Sequence, residues 1–197
     1  MADQPADLTI DPATDPASDP ATDPTTDPTT VLDAERADLL ATLGKHRHLL
    51  RFTVRDLDDE QAARRSTVSA LCLGGLIKHV ATTEAAWARF VVEGPAAMAP
   101  PADGDYSGWL DAFRMVEGET LAGLVERYEE VARATDTLIA GLPDLNADQP
   151  LPPAPWFEPG ARWSARRVVL HLIAETSQHA GHADILREAI DGARSMG

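Results

Sequence analysis

The chain has 197 residues, with 17 Lys and Arg against 32 Asp and Glu, which gives a formal net charge of −15. This charge argues against nucleic acid and anionic membranes as partners, because both are bound through basic patches. No apolar run approaches the roughly 20 residues of a membrane span, and the first residues lack the features of a signal peptide, so we expect a cytoplasmic protein. The single cysteine, Cys72, excludes an internal disulfide and a cysteine-based zinc site.

The N-terminal segment has an unusual composition. Residues 1–30 hold seven aspartates and no basic residue, and the dipeptide Asp-Pro recurs every four residues from Asp11 to Asp27. Proline at this density prevents a helix, and the segment has too few apolar side chains to offset the entropy of ordering. We predict a disordered acidic tail over 1–30 and one folded domain over 31–197, which is long enough to bury a hydrophobic core.

From residue 31 onward the apolar side chains recur with a period near 3.6, which indicates helices, and no alternating strand pattern of useful length occurs. Ser69 and Ser164 are suitable N-caps, and Gly94-Pro95 and Gly192 are suitable stops. The pattern predicts an all-α fold, a four-helix bundle with long crossover loops. The four helices are predicted over about residues 31–57, 70–93, 119–140 and 165–191.

The two later connections are about 25 and 24 residues long, far beyond a short turn. Connections of this length allow crossovers between helices that are not antiparallel neighbours. They also carry five aromatic rings, which either cover a site or cap the open ends of the bundle: Tyr106, Trp109, Trp156, Phe157 and Trp163.

One face of the predicted fourth helix turns from apolar to polar halfway along. The face carries Val168, Leu172 and Leu186, so we expect it to point into the core. A buried group of imidazoles and carboxylates either satisfies itself by hydrogen bonds or holds a metal ion. Four such side chains lie at positions i, i+4, i+8 and i+11, within an arc of about 80°: His171, Glu175, His179 and His182.

Glu175 and His179 have the right pitch to present two ligands to one ion, so a third ligand would come from another helix. The predicted second helix offers His79. We expect His46 and His48, which lie among charged residues of the first helix, to be solvated. The face of His79 also carries small side chains that leave space beside it: Cys72, Gly75, Thr83 and Ala86.

Two stretches of the chain carry a recognisable pattern. The first is Leu76-Ile77-Lys78-His79-Val80, followed by Glu84 and Trp87. The second covers 166–192 and centres on Glu175-x3-His179-Ala-Gly-His182-Ala-Asp184-Ile-Leu-Arg187-Glu188. These stretches, and the layout of 31–197, resemble the DinB/YfiT-like metalloprotein superfamily, specifically its actinobacterial-type branch.

In that superfamily a four-helix bundle holds a divalent metal with one His of the second helix and two ligands four residues apart on the fourth. The resemblance therefore implies the ligands His79, Glu175 and His179. Many members have His at the position of Glu175, whereas the similar mycothiol-dependent maleylpyruvate isomerases have Glu. His182 is then a further ligand, a hydrogen-bonding partner of a ligand or a proton shuttle, and His171 would orient the Glu175 carboxylate.

Three protein ligands leave an open position on a tetrahedral ion, which is the catalytic arrangement. A thiol bound there would lose its proton, and a bound water would become acidic. The resemblance, together with the Arg-rich and Ala-rich usage of a GC-rich genome, favours a metal-dependent transferase that moves a low-molecular-weight thiol, mycothiol, onto a small-molecule electrophile. The alternatives are a metal-dependent hydrolase and a non-catalytic metal-binding or stress-related helical binding module.

Several features stay open at this level. We expect the ion to be zinc, although nickel, iron and manganese accept the same ligands. The resemblance also implies a homodimer. Cys72 is either a nucleophile two turns before His79 or a small core residue. A di-iron site is disfavoured, since it needs Glu-x-x-His on two helices, and the chain has a Glu/His pair at spacing four on a single helix.

Overall fold

A computed structural model describes residues 28–99 and 111–196 of the chain, with side chains from residue 34 onward. The predicted tail before residue 28, Tyr106 and Trp109 lie outside the described residues. The described part confirms an all-α fold, and none of its helices combines the length and apolar character needed to cross a membrane. The elements in chain order are α1 (Pro28–Phe52), α2 (Asp59–Ala63), α3 (Leu73–Glu93), a 3₁₀ helix (Gly94–Met98), α4 (Leu121–Gly141), β1 (Asp148–Pro150), β2 (Arg162–Ser164) and α5 (Ala165–Asp191).

The first helix ends at Phe52, earlier than the predicted residue 57. A turn follows in which Asp56 adopts a left-handed backbone, with a φ of 59°, and a right-handed helix does not continue through that conformation. Asp58 then caps α2: its carboxylate accepts from the backbone N–H of Gln61 at 2.8 Å, and the Gln61 side chain accepts from the backbone N–H of Asp58. The prediction therefore extended the first helix too far, and α2 is an additional short helix that was not predicted.

The start of α3 also differs from the prediction. Its N-cap is Cys72, whose sulfur accepts from the backbone N–H of Gly75 at 3.4 Å. The Ser69 hydroxyl instead accepts from the backbone N–H of Leu71 at 3.2 Å, which closes a local turn. Ser69 as N-cap was wrong for that reason. The predicted stop at Gly94 is confirmed, with a φ of 66°.

Helix α5 has the boundaries that were predicted. Ser164 accepts from the backbone N–H of Arg167 at 3.2 Å, and Gly192 follows the helix in a left-handed conformation with a φ of 80°. An antiparallel pair of strands precedes the helix and places Asp148 opposite Ser164. This small sheet was not predicted, because strands of three residues are too short to show an alternating pattern.

Side-chain contacts give the direction of α1 and α5. Glu35 near the start of α1 bonds Arg166 at the start of α5, with Nε to Oε1 at 2.5 Å. Arg187 near the end of α5 donates to the Thr53 carbonyl, just past the end of α1, at 2.8 Å. The two helices therefore run parallel along their shared interface.

Helix α4 runs antiparallel to α1, because Arg47 bonds Asp136 late in α4 and Arg51, further along α1, bonds Glu129 earlier in α4.

Helices α3 and α4 pack as parallel neighbours. Lys78 early in α3 bonds both carboxylate oxygens of Glu119, just before α4, at 3.0 and 2.9 Å. Later in both helices Glu84 lies beside Tyr128, whose pKa is raised first by burial and then by the charge of Glu84. Because parallel neighbours place the end of one helix far from the start of the next, a long connection is needed between α3 and α4. This explains the predicted long crossover.

A buried ion pair crosses the core. Arg47 of α1 and Glu84 of α3 are 3% and 0% exposed, and they form two bonds, Nε to Oε2 at 3.0 Å and Nη2 to Oε1 at 2.5 Å. Arg47 also bonds Asp136 of α4 at 2.7 Å. Paired hydrogen bonds of this kind offset the cost of taking both charges out of water. Glu84, which the resemblance singled out, thus ties two helices together.

Candidate metal centre

The stripe of α5 that was predicted to face the core does so. Leu172 and Leu186 are buried, as is Val168, and side chains three and four residues apart share this face of the helix. The four polar side chains between them are half-buried: His171, Glu175, His179 and His182.

The structure brings His79 of α3 to this stripe. One potential ligand atom from each of His79, Glu175 and His179 lies within 4.8 Å of the other two. The His79 and His179 ring centroids are 4.8 Å apart, and His179 Nε2 lies 3.6 Å from Glu175 Oε2. Two ligands about 2.0–2.1 Å from a tetrahedral ion lie roughly 3.4 Å apart. The three side chains, named here the triad, are therefore close to that spacing, and small side-chain rotations would complete it.

Burial holds the imidazoles of the triad neutral. Desolvation first, and the nearby His179 second, lower the pKa of His79 to about 4. Desolvation also lowers the pKa of His179, although the Glu175 carboxylate opposes this change. A neutral imidazole carries the free lone pair that a metal needs. Two imidazoles and one carboxylate are also a common donor set for zinc and related divalent ions.

His182 and His171 lie on either side of the triad. His182 Nδ1 is 3.4 Å from His179 Nδ1, so His182 contacts a triad residue directly. His171 makes no hydrogen bond to Glu175 in the described part of the chain, and its ring packs against Trp87 and Trp163 instead. The contacts therefore do not support the predicted orienting role of His171. His48 is exposed and His46 half-buried on α1, and neither joins the triad.

The connection before α4 covers His79 with an aromatic ring. Phe113 stacks on His79, with ring centroids 4.0 Å apart and planes at 26°, and lies 6.1 Å from the ring of His179. Sequence reasoning missed Phe113. The signal that could have found it was the pair Gly74-Gly75 in a helix. Glycine destabilises a helix, so such a pair indicates that another segment of backbone approaches the helix closely there.

The glycine pair admits this connection. A Cβ on Gly75 would lie 2.1 Å from the carbonyl oxygen of Phe113, and one on Gly74 would meet the Met115 side chain. The space that we expected beside Gly75 is therefore filled by backbone. Thr83, further along the same face, is half-buried.

Cys72 has a structural role. It is 2% exposed, caps α3 and lies with its Sγ 3.7 Å from the Phe113 carbonyl oxygen. These contacts favour the core interpretation over the nucleophile.

Two charged residues of the second family-like stretch, Asp184 and Arg187, hold the C-terminal end of α5 in place. Arg187 is buried and donates to the carbonyls of Thr53 and Arg55, at 2.8 and 2.6 Å. Asp184 accepts from the backbone N–H and the hydroxyl of Ser195, both at 2.6 Å. These residues therefore stabilise the fold next to the triad.

The remaining aromatic residues of the connections divide by exposure. Phe157 and Trp163 are half-buried and pack against Trp87, whereas Trp156 is 67% exposed. Two open surface grooves lie elsewhere, one between α1 and α4 and one between α1 and α5, and neither is lined by a triad residue.

A comparison with known proteins identifies the family. No curated protein matches the chain. A family model described as mycothiol-S-transferase matches residues 38–192, a range that holds α3, α4, α5 and the triad in full and α1 from residue 38 onward. The chain therefore belongs to the mycothiol-S-transferase family.

Proposed function

We propose that this protein transfers the sulfur of mycothiol to a small electrophile, at a divalent metal ion held by His79, Glu175 and His179. The observation that carries the proposal is the triad: two imidazoles and a carboxylate from two helices, with their ligand atoms within 4.8 Å of one another. The family supplies the thiol and the reaction class. We expect the ion to be zinc, and nickel, iron and manganese suit the same donors.

A divalent ion, when bound, lowers the pKa of a thiol so that thiolate is available at neutral pH. The chain's own residues prepare the site for this chemistry. Burial keeps His79 and His179 neutral, so both are ready to bind at physiological pH. Phe113 lies over one side of His79 and excludes water there.

The exposure of the triad supports a catalytic rather than a closed structural site. The Glu175 side chain is 29% exposed and that of His179 is 12% exposed, so the carboxylate borders solvent while the imidazole is largely covered. A structural ion is closed off by four protein ligands, whereas a catalytic ion keeps a position open to substrate. Three donor residues, one of which borders solvent, match the catalytic arrangement.

Metal analysis of the full chain, purified without a tag or chelator, tests the ligands. We expect about one ion per chain in the wild type, loss of the ion in His79→Ala and Glu175→Ala, and full occupancy in His48→Ala, which alters an exposed histidine outside the triad. A metal-free wild type with folded variants would overturn the site and leave a hydrogen-bonded polar core.

Turnover needs a second assay. The metal-loaded wild type should accelerate the conjugation of mycothiol to at least one member of a broad electrophile panel, and His179→Ala should lose this activity while retaining its helical circular dichroism. A loaded protein that neither binds the thiol nor accelerates any conjugation contradicts the transferase. It would leave a metal-binding module without turnover.

Two further proposals concern the location of the protein in the cell and its oligomeric state. We propose that the protein acts in the cytoplasm, where low-molecular-weight thiols are kept reduced, and that it forms a homodimer. Light scattering on the eluting peak of a gel-filtration column tests the dimer. A mass of one chain at micromolar concentration would contradict it.

A further inference from the structure

Helices α3 and α5 face each other in antiparallel register. His79 lies opposite His179 and Trp87 lies opposite His171, with ring centroids 4.8 Å apart in both pairs. Eight residues separate the two positions on each helix, a distance of about 12 Å along the axis. The triad and the Trp87/His171 pair therefore lie at two ends of the interface between α3 and α5, named here the seam.

The far end of this seam is a group of four rings, named here the ring cluster: Trp87, Phe157, Trp163 and His171. Trp87 and Trp163 stack with centroids 4.7 Å apart and planes at 15°. The His171 ring meets both indoles edge-on, at 4.8 and 5.1 Å. Phe157 meets them at 6.5 and 5.7 Å. The four rings thus form a packed aromatic wall.

The ring cluster and the triad share one face of α5. Trp87 is 8% exposed, but Phe157, Trp163 and His171 are half-buried and reach solvent. His171 precedes Glu175 by four residues and shares its face of α5, and both are half-buried. Between the two ends, α3 contributes the small, half-buried side chain of Thr83. The triad and the ring cluster therefore lie about 12 Å apart along one partly exposed interface, so a thiol and an acceptor that together span this length would contact both.

We propose that the ring cluster is the subsite for the electrophile, and that it selects acceptors with a planar apolar body. The inference rests on the proposed S-transfer, because it places the acceptor beside the sulfur at the triad. Stacked and edge-on aromatic contacts favour a flat apolar group.

Mycothiol, which contains sugar groups, is less suited than the electrophile to bind against the ring cluster. A polyhydroxylated body needs many hydrogen-bonding partners, and among the four rings His171 and the two indole N–H groups are the polar ones. The His171 imidazole makes no hydrogen bond to another described residue, so its N–H is available to a polar substituent of the acceptor, such as a nitro or carbonyl oxygen.

Binding is tested without turnover, on the full chain without thiol, by calorimetric titration with 2,4-dinitrotoluene, a planar probe that does not react with thiols. We expect Trp163→Ala to weaken the affinity about tenfold and Trp163→Phe to retain most of it. Phe52→Ala removes a partly exposed ring from the end of α1 and should leave the affinity unchanged. Absence of probe binding in the wild type, or equal affinity in wild type and folded Trp163→Ala, would overturn the subsite.

Selectivity is then measured with two electrophiles. In 1-chloro-2,4-dinitrobenzene the thiolate sulfur bonds to the ring carbon, the carbon–chlorine bond breaks, chloride leaves with the electron pair and the thiol proton passes to solvent. Iodoacetamide has no ring: the thiolate sulfur displaces iodide directly from its methylene carbon, iodide leaves with the electron pair and the thiol proton passes to solvent. The ratio measured is kcat/KM for 1-chloro-2,4-dinitrobenzene divided by kcat/KM for iodoacetamide. Trp163→Ala should lower this ratio about tenfold, mainly by raising the KM of the aromatic acceptor. An unchanged ratio contradicts the subsite. A wild type without turnover that still shows Trp163-dependent probe binding contradicts the transferase and retains the aromatic subsite.

Discussion

Phe113 lies flat on the imidazole of His79, with the ring centroids 4.0 Å apart. The contact depends on Gly75, one turn earlier in α3, where a Cβ would lie 2.1 Å from the Phe113 carbonyl oxygen. Lys78 fastens the same connection through its two bonds to Glu119. A glycine that looks unfavourable in a helix is thus the residue that allows a cover over the candidate metal centre.

Gly75→Ala should therefore displace this connection. We expect a loss of about 1–3 kcal/mol in the free energy of unfolding, because the new methyl overlaps backbone that cannot move alone, and a weaker metal affinity, because Phe113 leaves His79. The matched control is Gly44→Ala in α1, where nothing lies within 4 Å of the added Cβ and a gain of about 0.5–1 kcal/mol is expected. Urea unfolding and chelator competition measure the two quantities. A stable Gly75→Ala protein with unchanged metal affinity contradicts the prediction.

The buried pair of Arg47 and Glu84 predicts a large effect of charge removal. Glu84→Ala leaves Arg47 buried with Asp136 as its remaining carboxylate partner, so we expect a loss of about 3–5 kcal/mol in the free energy of unfolding. Glu130→Ala, at an exposed position of α4, should change it by less than about 0.5 kcal/mol. Chemical denaturation checks both. Equal effects of the two substitutions would contradict the expected cost of leaving Arg47 without Glu84.

Arg187 should not tolerate replacement by lysine. Its guanidinium bonds the carbonyls of Thr53 and Arg55 and the carboxylate of Asp191 at once, and a single ammonium cannot reproduce this planar set of donors. We expect Arg187→Lys to cost about 1–3 kcal/mol of stability through unsatisfied buried carbonyls. Arg194→Lys, in an exposed ion pair with Glu188, is the control and should be nearly neutral. Thermal and urea unfolding measure the difference.

The lowered pKa of His79 predicts how the metal-free protein responds to acid. The pKa falls from 6.5 in the unfolded chain to about 4 in the folded one, so between these values the unfolded state binds more protons. Stability contributed by neutral His79 is complete above pH 6.5 and is lost as the pH falls towards 4. His79→Gln should flatten this part of the profile, measured as urea midpoints in the presence of EDTA. Parallel profiles for the two proteins would contradict the assignment.

The parts of this structure that depend on local sequence were the parts that could be predicted. The 3.6-residue period indicated the long helices, and the caps at Ser164 and Gly192 depend on the residue itself: the serine hydroxyl accepts from Arg167 N–H, and glycine adopts the left-handed backbone. The start of α3 was missed because cysteine is a rare N-cap and Ser69 is a common one. The three-residue strands β1 and β2 gave no pattern to detect.

In the candidate metal centre, too, the features set by local sequence were predictable and those set by packing between distant segments were not. Glu175 and His179 follow from helix pitch, since both lie on one helix. The residues offered His79 as a candidate, but its identity as the third ligand came from the family resemblance, because the register between two helices depends on packing along their whole length. Phe113 depends on how a connection folds back over α3, and periodicity carries no information about that path.

The triad combines residues of α3 and α5, and this has a consequence for protein synthesis. His79 and Glu175 are separated by roughly a hundred residues, and α5 fits between α1 and α3 only after both exist. Because a chain leaves the ribosome from its N-terminus, the triad is complete only once the last helix has been released. A metal ion at the proposed site would therefore be held by all three residues only after α5 has emerged, and its binding would report that α3 and α5 have packed together.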